Sequence, residues 1–175
     1  MTKRAHATIL VAGLLVLTAC SGGSSSSGSA ASCTGSKSVH GGHVAVSTWC
    51  SAYGGILVNG KGYTLYALTT GTGKKAACGS SCAAIWPPLM VNGAPDLAPG
   101  LKKSLVGVVS RGGSHQVTYA GHALYTYRAD TGPHMVNGQG LKGSGGTWYV
   151  ISAKTGKLIT TKLHRKHISG NGPGY

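Results

Sequence analysis

The sequence predicts a mainly β protein: a compact antiparallel β domain built from two related repeats, with one or two short helical turns. Three observations carry this expectation. Shifted by 59 residues, the chain meets itself, with "VNGKGYTLYAL" (58–68) lying over "VTYAGHALYTY" (117–127). Val58 then matches Val117, Gly62 matches Gly121, and Leu65-Tyr66 matches Leu124-Tyr125. Each copy reads as strand, glycine-containing turn, strand, with apolar and polar residues alternating after the turn. Downstream of each hairpin lies a tryptophan, Trp86 in the first copy and Trp148 in the second.

The chain opens with Lys3 and Arg4, the apolar run "ILVAGLLVL" (9–17) and then "TAC". A basic start, an apolar core and small residues at its end predict a secretory signal peptide over 1–19. A helical membrane span needs roughly 20 apolar residues, and this run is far shorter. Leu17-Thr18-Ala19-Cys20 resembles the lipobox of bacterial lipoproteins. That resemblance implies cleavage before Cys20, diacylglycerol on its thiol and acylation of its new amine, hence an extracytoplasmic, lipid-anchored protein. Residues 20–36 form the lipidated cysteine and a Ser/Gly tether, whose "SGGSSSSGSAAS" offers almost nothing to bury.

The β-rich domain is expected over 37–163, its repeats at about 54–92 and 113–150, followed by a basic flexible tail at 164–175. Along it, "HVAVSTW" alternates, "LVGVVSR" is a short apolar run, and "TWYVIS" and "KLITTK" flank "AKTG" as a further hairpin. One helical turn is expected at Ala83-Ala84-Ile85-Trp86, stopped by Pro87. Pro99 and Gly100 interrupt "DLAPGLKKSL", so any helix there starts late and is short.

The formal charge falls from +14 to +12 once Lys3 and Arg4 leave, and Asp96 and Asp130 are the only acids. For an exported chain the fitting polyanions are anionic lipid headgroups or wall polymers. Nucleic acid is set aside, because the chain is exported and lacks the aromatic RNA-binding motifs. Two acids also prune enzymology. A glycosidase pair could only be Asp96 with Asp130, and a calcium or magnesium cage has no carboxylates to spare. No G-x-S-x-G elbow, Walker loop or H-E-x-x-H occurs, and Ser114 beside His115 is only a sequence neighbour. The expectation is a non-enzymatic binding or structural module.

Tyr125-Thr126-Tyr127-Arg128-Ala129-Asp130, Cys78-x3-Cys82 before Trp86-Pro87-Pro88-Leu89, and Gln116–Tyr125 occur in order. Together they resemble bacterial lipoproteins with secreted repeats marked by Y-x-(F/W/Y)-x-x-D, a family without an assigned molecular role. The first copy departs from the pattern: in Tyr66–Gly71 the aromatic is Leu68 and the acid is Gly71. Two readings of the intact motif stand open. Asp130 caps its turn by accepting backbone N–H bonds, or Tyr125, Tyr127 and Asp130, with Trp86 nearby, form an exposed aromatic site for a sugar, cation or aromatic ligand.

With Cys20 acylated, four cysteines remain in an oxidising compartment, which favours disulfides. Of the three pairings, the expected one joins Cys78 to Cys82 and leaves Cys33 with Cys50, the first fastening the Trp86-Pro87-Pro88 corner. The histidines invite a weaker alternative. His40 and His43 form H-x-x-H, His164 and His167 form another in the tail, and His134 adjoins Met135. Imidazole with sulfur would suit copper, so the competing reading is an envelope copper-handling or redox protein using these groups and Cys78/Cys82. No zinc spacing is present, and no cofactor is expected.

Overall fold

The computed structural model describes residues 45–70, 78–161 and 163. The expectations for Cys20, Cys33, His40, His43, Gly71, the tether and the tail fall outside them.

Two hairpins anchor the architecture. Strands β1 (Val46–Ser51) and β2 (Gly54–Asn59) pair antiparallel, and β2 turns toward β3 (Tyr66–Leu68). In the second half β5 (Val106–Arg111), β6 (Ser114–Tyr119) and β7 (His122–Ala123) form an antiparallel set. The β6–β7 turn has two central residues, Ala120 and Gly121, both at positive φ (48° and 81°). This is the two-residue hairpin whose twist matches its strands. The turn after β2 holds three residues, with Gly62 at φ 83° and Asn59 Oδ1 accepting the N–H groups of Lys61 and Tyr63. That extra residue shifts the register. Val58 bridges Thr64, whereas Thr118, not Val117, bridges Ala123. The ungapped superposition therefore holds after the turns and slips by one before them.

Each half then completes the other's hairpin. After Trp86, the segment with β4 (Met90–Val91) runs along the second hairpin: Leu89 donates to the Leu124 carbonyl and accepts from Val117 N, both at 2.9 Å. After β8 (Lys142–Gly143), β9 (Gly146–Val150) pairs with β3, and Leu57 N donates to the Ile151 carbonyl at 3.2 Å. Where the halves meet, Tyr66 and Tyr125 exchange both backbone hydrogen bonds, 2.8 and 3.0 Å.

Strand alternation sorts the core into two layers. Leu65, Ala67 and Leu124 pack with Val46, Leu57, Val117, Tyr119 and Ile151. Tyr66, Leu68, Ala123 and Tyr125 face the other way, onto Ile56, Trp86, Trp148 and Val150. The fold is mainly β and antiparallel, as expected.

Three local expectations need correction. The helix is α1 (Ser80–Ala83), beginning three residues before the expected 83–86: Ala83 N donates to the Gly79 carbonyl, and one further turn, closed by Trp86 N on the Cys82 carbonyl, carries the chain to Pro87. The hairpin about "AKTG" is present, with Ser152 N on the Lys157 carbonyl and Ile159 N on that of Val150, but its second arm, "KLITTK", is no strand: among its described residues Leu158 alone forms a bridge, to Ile151. The third, the exposure of the aromatic pair, belongs to the next subsection. After Pro99 and Gly100 the chain makes one 3-10 turn at Lys103–Leu105, late and short.

Candidate functional site: the tyrosine–aspartate core

Asp130 ends the turn that follows the second hairpin, its N–H donating to the Tyr127 carbonyl at 3.1 Å. The carboxylate points inward and is 3 % exposed. Its Oδ1 accepts the Asn137 N–H at 3.0 Å, so it does hold a backbone turn, closing the loop 130–137. Its Oδ2 accepts the Tyr66 hydroxyl at 2.7 Å. That partner lies in the other half, 64 positions away, and sequence spacing gave no signal for it. Gly138 N in turn donates to the Tyr66 oxygen at 3.2 Å.

Around this pair the aromatics close-pack. The rings of Trp86 and Trp148 lie 4.0 Å apart and 6° from parallel, and Tyr127 stacks on the outer face of Trp86 at 4.3 Å. Tyr66 meets Trp86 edge-on at 5.5 Å, and Tyr125 meets Trp148 edge-on at 5.1 Å. Offset stacks and edge contacts of this kind add about 0.5–1.5 kcal/mol each beyond burial. Gly138 is required for the approach, since a Cβ there would stand 2.8 Å from Trp86 and 2.9 Å from the Tyr66 ring.

The exposed-platform reading of the motif is thereby overturned. Tyr125 is 1 % exposed and Trp86 5 %, and Tyr127 spends one face on Trp86. The rings of Tyr125 and Trp86 fill the space between the halves, and Tyr127 is half-buried over Trp86. Two buried donors here, the Tyr125 hydroxyl and Trp148 Nε1, find no acceptor among the described residues.

Burial pushes the Asp130 carboxyl above the usual range, while the hydrogen bonds from Tyr66 and Asn137 pull it back. Burial, then the hydrogen bond and charge of Asp130, drive the Tyr66 phenol far above its ordinary value. A group raised in the folded state contributes stability that is complete below its unfolded pKa and lost as pH climbs. Melting temperature should therefore fall as pH rises past about 10. Tyr66→Phe should flatten part of that slope; an unchanged slope in melts taken across alkaline pH would contradict the coupling. Tyr119, also raised by burial, accounts for another part.

The remaining candidates are dispersed. Cys78 and Cys82 stand at disulfide distance with Cα atoms 5.3 Å apart. Arg111 ties this corner to β6, donating to the Cys78 carbonyl and, at 3.2 Å, to Gln116 Oε1. Cys50 is exposed on β1. His134, held at φ 64°, stacks on Trp49 at 4.7 Å, and the Met135 sulfur takes a contact from Thr131 Oγ1 at 3.7 Å. Among the described residues no three His, Cys, Asp or Glu side chains gather as metal ligands. Nor is any helix there long and apolar enough to cross a membrane.

No curated protein and no solved structure matches the chain. A family model does match residues 107–152, the stretch from β5 through Asp130 to the end of β9. That model is Lipoprotein_15, described as a secreted repeat of unknown function, and residues 107–152 are similar to it.

Proposed function

We propose that this protein is an envelope lipoprotein, held at the membrane through an acylated Cys20, whose β domain is a non-enzymatic binding or structural module. The observation that carries the second clause is the placement of the motif. Its acid closes a loop and bonds Tyr66, and its aromatic rings are packed among themselves, so both are spent on cohesion. The family match supports an extracytoplasmic setting. The lipobox-like Leu17-Thr18-Ala19-Cys20 supports the anchor, and two or three acyl chains hold a protein on a bilayer where one does not.

Cys20→Ala is expected to move the protein from the membrane fraction to the medium, or to leave an uncleaved precursor. Detergent-phase partitioning with mass determination of the N-terminus distinguishes the outcomes. A cleaved mutant that still partitions like wild type removes the anchor from this reading.

A further inference from the structure

Three chain segments converge where the Tyr119–His122 turn closes β6. The Tyr119 hydroxyl donates to the Ala153 carbonyl at 2.6 Å, and Ala120 N donates to the Leu105 carbonyl at 2.6 Å. Gly156, at φ 73°, packs so closely on Ala120 that a Cβ would overlap it. These contacts bring the Lys103–Leu105 turn and the 153–157 turn to either side of the Ala120–Gly121 tip. Each flanking turn carries two lysines, Lys102 with Lys103 and Lys154 with Lys157, and all four are exposed.

Nothing in these segments opposes that charge. Residues 101–105, 119–122 and 152–158 contain no Asp or Glu. Of the chain's two acids, Asp130 is buried against Tyr66, and Asp96 lies on the segment whose carbonyl bonds Ala45 N, alongside the start of β1. The large apolar side chains that stand exposed, such as Ile85, Met90 and Leu141, also lie outside the three segments. The result is a cationic end without an apolar wedge or an aromatic platform.

We propose that this lysine-bearing end is the face the domain sets against an anionic phospholipid surface. The proposal rests on the membrane location proposed above and adds to it an orientation and a headgroup charge. A lipid surface fits better than a polymer threaded through a cleft. The lysines sit on short turns, as flexible point charges that suit a plane of phosphates, and none of the ring pairs among the described residues lies on these turns. An anchor at Cys20 would also raise the local concentration of headgroups at the domain, so weak contacts suffice.

The test uses the mature chain, residues 20–175, carrying Cys20→Ser so that no acyl group contributes. Vesicles of phosphatidylcholine containing phosphatidylglycerol are compared with phosphatidylcholine alone, by co-flotation at low salt. Each lysine near such a surface is worth about fivefold in partitioning. Lys102→Gln/Lys103→Gln and Lys154→Gln/Lys157→Gln should each reduce binding by roughly tenfold or more, and added salt should abolish it. The charge-matched pair Lys61→Gln/Lys142→Gln, on the Asn59–Tyr63 turn and on β8, should lose less than about twofold. Equal losses from all three pairs, binding to phosphatidylcholine alone, or no binding would overturn the proposal. So would variants that keep vesicle binding but lose binding to soluble poly(glycerol phosphate), which would assign the lysines to a wall polymer. Because the chain tested is unacylated, these outcomes are independent of the Cys20→Ala experiment.

Discussion

Asp130→Ala is expected to lower stability by about 3 kcal/mol, a drop in melting temperature on the order of 10 °C. The change strands two donors at once, the Tyr66 hydroxyl in the core and the Asn137 N–H of the loop. Asp130→Asn should lose only about 1 kcal/mol, since an amide oxygen still accepts one bond and no charge remains to be desolvated. The two central tyrosines supply the control. Tyr66→Phe leaves a buried carboxylate short of a partner and should destabilise by about 1.5–3 kcal/mol. Tyr125→Phe removes a buried hydroxyl that has no acceptor among the described residues, and should be neutral or stabilising within about 0.5 kcal/mol. Thermal and urea melts of the four variants decide the matter. Equal penalties for the two Tyr→Phe changes would mean that the Tyr66–Asp130 bond contributes nothing.

Trp148→Ala should cost more, about 3–5 kcal/mol. The indole is fully buried, lies flat against Trp86 and takes the edge of Tyr125, so its removal opens a cavity between the halves. Domains of this size are commonly stable by only about 5–15 kcal/mol, so the variant stands near the threshold of folding. Trp148→Phe retains an aromatic face and should lose about 1–3 kcal/mol while remaining folded. Urea titration gives the magnitudes, and the exciton signal of two stacked indoles in the circular dichroism spectrum should vanish in both variants. If that signal persists in Trp148→Phe, the Trp86–Trp148 stack is not its source.

What could be read from the sequence was whatever repeats locally. Glycine turns and alternating side chains marked both hairpins, because turn geometry and a period of two are set by neighbours in the chain. The one-residue slip at Val58 escaped notice because a two-residue and a three-residue turn look alike when laid over each other without a gap. Pro87 does mark where the turning stops, since Trp86 N still bonds the Cys82 carbonyl, but the helix proper lies earlier, at Ser80–Ala83, where a downstream terminator gives no information. Within the motif, backbone capping by Asp130 was an available reading. Its bond to Tyr66 was not, since that contact exists only once the two halves are apposed. For the same reason Tyr125 and Tyr127 looked like a surface platform: alternation places side chains on a face but does not say what covers that face.

The exchange of third strands also imposes an order in time. Leu57 bonds Ile151, 94 positions later (151 less 57), whereas Leu89 reaches Val117 after only 28 (117 less 89). Early closure of so long a loop is entropically unfavourable, and pairings of this kind make folding slow. When the chain is delivered with its N-terminus first, the second hairpin can acquire its neighbour while the first still presents an open edge. That edge stays unprotected until the last strand has emerged, and open edges are where wrong partners add. Any fragment that stops short of Ile151 is left permanently at this vulnerable stage.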